Sequence, residues 1–340
     1  MKILTCQQPG KFEYSEAPEP TPITGEALIK IKNIGVCGTD IHAFSGNQPF
    51  FEYPRVLGHE LCGEVLEAPA ASGLSPGTRV VAVPYLHCGD CRACRNGKTN
   101  CCQKLKVMGV HIDGGMQEYA TIPVENLLPV EDISDEAAAV VEPLAIGAHA
   151  LRRAGDLAGK TVVVVGCGPI GMGIIAQAKT LGAGKVLALD MQPGRLKAAK
   201  MHFGADEVID IREQPEEALA ELTAGDLADI VFDATGNKQA LETGHRYMGH
   251  GGSYVLVGLY KDALQFLHPE IHAKETSLLC SRNATLEDFH TVIEQLREGN
   301  FPLDQYITHR LSFEEVGGNF EEVFKPGNEV VKAVISLRSR

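Results

Sequence analysis

Four cysteines stand close together in a stretch rich in Gly, Asn and Arg, with the spacing C-x2-C-x2-C-x7-C. They are Cys88, Cys91, Cys94 and Cys102. Four thiolates from one loop form a closed tetrahedral shell around zinc and leave no position for a substrate, so the pattern predicts a structural zinc site. From the residues alone, the neighbouring Cys101 is an alternative fourth ligand.

A second set of potential ligands is scattered along the chain. Cys37 lies in GVCGTDIH, His59 and Glu60 stand side by side in GHE, and Glu142 lies in VVEPLA. Each has apolar or glycine neighbours, where an unpaired polar group is costly. One thiolate, one imidazole and one carboxylate would hold zinc and leave one position open, as catalytic zinc sites do. From the spacing alone, these residues could also be ordinary core residues that form hydrogen bonds and bind no metal.

The segment VVVVGCGPIGMG carries Gly166, Gly168 and Gly171 in the pattern G-x-G-x-x-G, between a predicted strand and a predicted helix. The first glycine permits a tight turn, the second lets the backbone approach a pyrophosphate, and the third allows close helix–strand packing. The helix N-terminus, with Pro169 and Ile170 in its first turn, attracts phosphates. The pattern predicts a dinucleotide site.

Asp190 ends the next predicted strand, where a carboxylate accepts hydrogen bonds from an adenosine ribose. The same charge repels a 2′-phosphate, so we expect NAD rather than NADP. Arg195 is a counter-indication, because an arginine nearby can accommodate that phosphate; we expect it to pack beside the adenine instead. The alternative for Asp190 is an N-cap of the following helix.

Composition sets the limits for these sites. The 340 residues allow two domains, and the net charge of −13 argues against nucleic acid or an anionic membrane as partner. The N-terminus lacks an apolar signal segment, and no stretch approaches the ~18 apolar residues of a membrane span, so we expect a cytoplasmic protein. In a chain of this size the ten cysteines favour metal binding over a disulfide framework.

Two kinds of sequence pattern follow one another along the chain. Residues 1–147 hold short β-like stretches broken by Gly and Pro, as in an antiparallel, barrel-like domain. Residues 148–281 alternate continuous Val/Ile/Leu strands with helices, which predicts an α/β domain with a doubly wound parallel sheet. Residues 282–340 show a mixed pattern of helices and strands, and we expect them to rejoin the first domain.

The segment GHELCGEV, the four-cysteine loop and the glycine motif, in this order, resemble the zinc-dependent medium-chain dehydrogenases, which include alcohol, sorbitol and threonine dehydrogenases. The resemblance covers essentially the whole chain. It implies a GroES-like β-barrel catalytic domain, a Rossmann NAD-binding domain, an active site in the cleft between them and two zinc ions per subunit. The family spacing favours Cys102 over Cys101 as the fourth structural ligand.

The resemblance also assigns site residues. It implies that Cys37 and His59 bind the catalytic zinc, with Glu142 as the better candidate for the third protein ligand. Glu60 matches a position that binds zinc conditionally or stands behind the ligands. Thr39 and His42 match the proton relay, through which an alcohol proton would leave by way of the nicotinamide ribose. A plain surface histidine is the alternative for His42.

Further segments, among them CGTDIHAFSGNQPFFEYPRVLGHE and SRNATLEDF, resemble the bacterial sugar-acid branch of this family. The implied reaction is oxidation of a secondary hydroxyl of a hexonate such as L-galactonate or L-gluconate to a ketone. Arg282 is then the candidate partner of the substrate carboxylate, with an internal or intersubunit salt bridge as the alternative. Asn283 and Asn47 are candidates for binding hydroxyls.

Other functions stay open at this stage. A polyol or L-threonine 3-dehydrogenase would use the same chemistry. A noncatalytic relative should have lost a zinc ligand or relay residue, and no such loss is visible. The resemblance further implies a homodimer or homotetramer, with GSYVLVGLY as an edge strand that could pair with a second copy. The segment SLLCS (277–281) is an alternative strand that could close the sheet.

Overall fold

The chain divides into two compact units in the computed structural model, which describes residues 1–48, 51–325 and 327–337. Unit 1 comprises Met1–Glu142 and Thr285–Arg340, and unit 2 comprises Pro143–Ala284. The expected boundaries at 147/148 and 281/282 therefore shift by a few residues. One consequence is that Arg282 and Asn283 lie in unit 2 rather than in the C-terminal return.

The first part of unit 1 consists mainly of strands. Its elements, in chain order, are β1 (Lys2–Gln8), β2 (Lys11–Glu16), β3 (Glu26–Val36), α1 (Gly38–Phe44), β4 (Arg55–Val56), β5 (Glu60–Glu67), β6 (Arg79–Ala82), β7 (Tyr85–Leu86), α2 (Arg92–Arg95), β8 (Lys106–Val107), β9 (Tyr119–Pro123), β10 (Leu127–Pro129) and α3 (Asp135–Ala138). Helix α4 (Val141–Ala154) then begins one residue before Glu142 and continues into unit 2.

Strands and helices alternate in unit 2. Its elements are β11 (Thr161–Val165), α5 (Pro169–Thr180), β12 (Lys185–Asp190), α6 (Pro193–His202), β13 (Glu207–Asp210), α7 (Pro215–Leu222), β14 (Ala228–Asp233), α8 (Lys238–Thr243), β15 (Met248–Leu256), α9 (His268–Ala273) and β16 (Ser277–Cys280). The chain then returns to unit 1 with α10 (Leu286–Arg297), α11 (Leu303–Tyr306), β17 (Ile307–Ser312), α12 (Phe313–Val323) and β18 (Lys332–Ser336).

Unit 1 is built on a seven-stranded sheet in the order β10-β6-β5-β3-β18-β17, with β9 also pairing to β3. In β3, the alternating side chains Ala27, Ile29 and Ile31 are buried because one face of the strand packs on the core. The C-terminal strand β18 pairs with β3 on the side opposite to β5. Residues from both ends of the chain therefore meet on β3.

Unit 2 is a parallel six-stranded sheet in the order β13-β12-β11-β14-β15-β16. Val162–Val165 are all buried, because helices cover both faces of such a sheet. This is the doubly wound order, and it confirms the predicted fold class. The expectation that GSYVLVGLY forms an edge strand is wrong: β15 pairs with β14 and with β16, so SLLC supplies the edge at that side.

No helix among the described residues combines the length and apolar character needed to cross a bilayer.

Candidate active site

Cys37 stands at the junction between β3 and α1, where it is the N-cap residue of the helix. Asp40, which is 1% exposed, closes this N-terminus because its Oδ2 accepts a hydrogen bond from the Cys37 backbone N–H at 2.9 Å. Its other oxygen, Oδ1, accepts one from the Gly58 N–H at 3.1 Å. Asp40 thus ties the segment of Cys37 to the segment of His59.

His59 is 5% exposed, and its Nδ1 lies 3.9 Å from Asp40 Oδ1. No described group forms a hydrogen bond with Nδ1, and the ring is hydrogen-bonded to the side chain of Cys37, so the imidazole lies beside the candidate thiolate ligand. The preceding Gly58 has φ +90°, and a Cβ there would come within 3.1–3.4 Å of Ile34 and Met116. The turn that delivers the histidine therefore favours glycine.

Glu60 is fully buried and forms an ion pair with Lys332, which is 1% exposed. The lysine Nζ lies 2.6 Å from Glu60 Oε1 and 2.5 Å from Oε2, and it also donates to the Val36 carbonyl at 3.0 Å. The carboxylate reaches β18 by crossing Gly35 on β3, where a Cβ would lie 1.9 Å from Oε2. A side chain at Gly35 would therefore break the pair.

Glu142 is 5% exposed, and its Oε1 accepts a hydrogen bond from the hydroxyl of the buried Tyr85. Burial, and next the negative charge of Glu142, raise the pKa of Tyr85 well above its ordinary value, so the phenol stays a donor. Cys37, His59 and Glu60 have ligand atoms within 4.8 Å of one another, and Glu142 falls outside that group of three. The charge of Glu142 nevertheless acts on His59 and on Glu60, so two carboxylates stand near the same site, each with its own partner.

The charges around His59 suit a divalent cation. Burial lowers the pKa of His59, yet Cys37 and Asp40 outweigh it and raise the pKa well above its ordinary value. For Glu60, burial raises the pKa to about 7 against the opposing pull of Lys332. A pocket that stabilises a cationic imidazole also stabilises a metal cation in the same place, and thiolate, imidazole and carboxylate are zinc ligands. The residues present fit a catalytic zinc.

The second ligand group unites Cys88, Cys91, Cys94 and Cys102 within 4.8 Å, while Cys101 is exposed and stands outside it. The Sγ atoms of Cys91 and Cys94 lie 3.4 Å apart, as do those of Cys88 and Cys102. A zinc tetrahedron with Zn–S bonds of about 2.3 Å has edges of about 3.8 Å. Backbone N–H groups of Cys94 and Gln103 lower the pKa of Cys91 to about 6, which favours the thiolate. This set fits a structural zinc.

The glycine motif joins β11 to α5. Gly166 has φ +92°, and a Cβ at Gly171 would lie 1.8 Å from the Gly166 carbonyl oxygen, so the turn closes only without that side chain. Gly168 is the N-cap of α5, with Pro169 and Ile170 in the first turn, and a Cβ there would meet nothing within 4 Å. Open space before a helix N-terminus is what a pyrophosphate needs.

Asp190 ends β12 and is 8% exposed. Its Oδ2 accepts a hydrogen bond from the Cys167 N–H at 2.7 Å, and its Oδ1 accepts one from Gln192 at 2.8 Å. The carboxylate is thereby held against the glycine turn and keeps lone pairs for a ribose. Arg195 lies on α6, which follows this strand. Burial, and next the charge of Asp190, raise the pKa of Cys167, and the charge of Arg195 opposes them.

Asp233, at the end of β14, is a buried carboxyl that the sequence did not single out. Its Oδ1 accepts hydrogen bonds from the Thr235 N–H at 2.9 Å and the Thr235 hydroxyl at 2.7 Å. Burial nevertheless raises its pKa to about 6. Between about pH 4 and 6 the unfolded chain releases this proton while the folded chain keeps it, so stability falls as pH rises, by about 3 kcal/mol.

Asp233→Asn should remove this dependence. We expect the melting temperature of the variant, relative to the wild type, to improve as the pH rises from 4 to 7, measured by thermal scans without NAD. Below about pH 4 the carboxyl is protonated in both states, so the advantage should vanish there. A difference that is independent of pH would contradict the assignment.

The remaining predicted residues lie on or near the ends of elements. Thr39 and His42 are one turn apart on α1, with His42 exposed, and Asn47 is exposed in the turn after that helix. Arg282 is exposed beyond β16. Asn283 has φ +50°, and its Nδ2 is buried without a hydrogen-bond partner among the described residues.

Sequence reasoning missed three residues that hold the metal ligands: Asp40, Tyr85 and Lys332. A signal existed for one of them, Lys332. Lys332 interrupts the apolar run VVKAVIS, where a charge must be buried with a partner, and Gly35 in the strand NIGV indicates a close approach. Nothing in the sequence around Tyr85 points to its contact with Glu142.

Two known protein families match this chain, and curated relatives match nearly its whole length. Residues 24–132 match the alcohol dehydrogenase GroES-like domain, and residues 169–298 match the zinc-binding dehydrogenase family. The chain is 45% identical to L-galactonate-5-dehydrogenase of Escherichia coli (strain K12) over 338 residues, which cover 99% of both chains. It is 36% identical to sorbitol dehydrogenase of Halalkalibacterium halodurans over 324 residues, 93% of this chain and 94% of the relative.

Among solved structures, the fold is similar to the alcohol dehydrogenase RspB of E. coli CFT073 in complex with NADH. The TM-score is 0.92 at 31% identity, and the match covers 99% of each chain.

Proposed function

Since this chain belongs to the zinc-dependent medium-chain alcohol dehydrogenases, and is thus a zinc- and nicotinamide-dependent oxidoreductase, we propose that it oxidises a secondary hydroxyl of a hexonate to a ketone with NAD. The similarity to an L-galactonate-5-dehydrogenase over the whole length of both chains carries the choice of a sugar acid. The site supplies the chemistry that such an oxidation needs.

Within this proposal, Cys37 and His59 hold the catalytic zinc together with Glu60 or Glu142, and the four-cysteine loop holds the structural zinc. When bound, zinc acts as a Lewis acid toward the substrate hydroxyl and NAD accepts hydride. Thr39, two residues after Cys37, accepts the proton of the substrate hydroxyl while it releases its own hydroxyl proton along the relay toward His42. His42, exposed one turn later on α1, takes up the relayed proton and delivers it to water, because an imidazole can both accept and release a proton.

Arg282 is proposed to bind the substrate carboxylate, and Asn283 and Asn47 to bind hydroxyls. A guanidinium binds a carboxylate through two parallel hydrogen bonds, which an uncharged polyol cannot form. We therefore expect Arg282→Ala to lower kcat/KM for a hexonate at least tenfold more than for the corresponding hexitol. Equal losses on both substrates would remove the carboxylate role and leave a structural one.

The substrate class is tested by an NAD-linked activity screen of hexonate stereoisomers, hexitols and L-threonine. The proposal expects the highest kcat/KM on a hexonate. A hexitol or L-threonine as best substrate would instead place the chain with the polyol or threonine dehydrogenases, with the same metal chemistry. Absence of turnover on all three classes in the zinc-loaded protein would overturn the proposal.

Asp190 is proposed to select NAD by binding the ribose hydroxyls and repelling a 2′-phosphate. Asp190→Ala should lower the ratio of kcat/KM for NAD to that for NADP at least tenfold, since a charged hydrogen bond contributes about 1.5–3 kcal/mol. Asp210, which ends the neighbouring strand and pairs with Arg212, is the matched control. If the two alanine variants show the same ratio, Asp190 does not select the cofactor.

The proposal also covers the oligomeric state and the location of the protein in the cell. We expect a homo-oligomer in which a second copy pairs along β16, because this strand is an edge and Leu278 on it is 44% exposed. Sedimentation of Leu278→Lys should then show smaller particles than the wild type; unchanged particles would place the interface elsewhere. A cytoplasmic location fits the zinc thiolates, which persist in a reducing compartment.

A further inference from the structure

The loop that carries the four cysteines begins and ends on a pair of strands. Strand β7 (Tyr85–Leu86) precedes the loop and β8 (Lys106–Val107) follows it. The two strands pair antiparallel, with Tyr85 opposite Val107 and Leu86 opposite Lys106. All four sulfur ligands lie between them, so binding of the structural zinc closes the loop on a stem that contains Tyr85.

Tyr85 is fixed from several sides. Its carbonyl accepts a hydrogen bond from Asn126 Nδ2 at 3.2 Å, and that buried amide also donates to the Val83 carbonyl at 2.8 Å. The ring meets Phe289 edge to face, with centroids 6.2 Å apart. The hydroxyl therefore has a fixed direction, and it donates to Glu142 Oε1. Tyr85 is the residue that connects the loop stem to a candidate ligand of the catalytic metal.

The partners of the two carboxylates differ in kind. Lys332 contacts both oxygens of Glu60, so a metal would have to compete with an ammonium for this carboxylate. Among the described residues, the hydrogen bond from Tyr85 goes to Oε1 of Glu142. Oε1 thus has a neutral donor, and Oε2 is the oxygen that could bind a cation. A carboxylate ligand that is hydrogen-bonded through its other oxygen is the usual arrangement around protein metals.

We propose that Tyr85 is a positioning residue that presents Glu142 Oε2 to the catalytic metal, and that the four-cysteine loop acts on the catalytic site through this tyrosine. The inference rests on the catalytic metal site proposed above. It gives the structural zinc a defined role, because the zinc holds the stem whose hydroxyl orients a ligand of the other metal.

The test uses the full chain with zinc in the cysteine loop and Co²⁺ in the catalytic site, whose visible spectrum reports the ligand geometry. Tyr85→Phe should change this spectrum and weaken metal binding about 10- to 100-fold, measured by competition with a chelator. Tyr254→Phe is the matched control, since it also loses a buried hydroxyl that donates, at 2.9 Å, to the Leu241 carbonyl in unit 2. It should leave both readouts unchanged.

The role of the loop is tested by Cys94→Ser and by the double variant with Tyr85→Phe. Cys94→Ser should shift the cobalt spectrum in the same direction as Tyr85→Phe, and the double variant should show no further shift. If Cys94→Ser does not fold, Cys94→His replaces it, because it keeps a zinc ligand at this position while it changes the geometry of the loop. A wild-type spectrum and affinity in Tyr85→Phe, or additive effects of the two changes, would overturn the inference. A wild-type chain that takes up no cobalt at Cys37 and His59 would instead reject the catalytic site itself.

Discussion

Replacing Cys37 by serine is expected to reduce turnover by on the order of 10³-fold or more and to remove one of two zinc ions per chain. A metal Lewis acid contributes several kcal/mol to stabilising developing charge, and each 1.36 kcal/mol corresponds to a factor of ten in rate. Cys37 is one of three residues whose ligand atoms lie within 4.8 Å, so its loss leaves the site with too few ligands.

The dinucleotide site should survive this change, because it is built in unit 2 from the glycine turn and Asp190. We therefore expect NADH to bind Cys37→Ser with wild-type affinity, measured by fluorescence titration, while metal analysis reports the lost zinc. Cys101→Ser is the control, since this exposed cysteine stands outside both ligand groups. Near-normal turnover in Cys37→Ser would show that the catalytic metal is not held there.

Replacing Lys332 by methionine is expected to destabilise unit 1 by about 3–5 kcal/mol, because it leaves the buried carboxylate of Glu60 without a counter-charge. Both partners are at most 1% exposed, so water does not screen the loss. The double variant Glu60→Gln with Lys332→Met should recover part of this stability, since it removes the charge that lost its partner. Urea unfolding of the three proteins measures the effect.

The same sheet offers a matched surface pair. Lys32 lies on β3 and Glu64 on β5, with a contact of 2.8 Å and side chains that are 25% and 35% exposed. Because exposed pairs contribute about 0–1 kcal/mol, Lys32→Met should cost little. If Lys32→Met and Lys332→Met lower the free energy of unfolding equally, burial does not increase the contribution of the Glu60–Lys332 pair to stability.

The elements that could be predicted from the sequence are local. The glycine turn, Asp190 and the four-cysteine loop each lie within one short stretch of chain, and a strand that is apolar on both faces indicates a parallel sheet. These patterns, with the family resemblance, predicted the doubly wound fold and the dehydrogenase class, and both are confirmed. For the edge of this sheet, the expectation of GSYVLVGLY was wrong and that of SLLCS was right, because SLLC adds one more strand beyond β15.

The surroundings of the catalytic ligands depended on tertiary structure. Lys332 is 272 residues from Glu60 in sequence, and Tyr85 is 57 residues from Glu142. No periodicity links such residues, since they meet only because β3 stands between β5 and β18 and because the cysteine loop closes on β7. The sequence by itself determined which side chains could bind zinc and NAD. The tertiary structure decided that Glu60 contacts the ammonium of Lys332 and that Glu142 contacts the phenol of Tyr85. The sequence could not show this, because these contacts depend on the order of the strands.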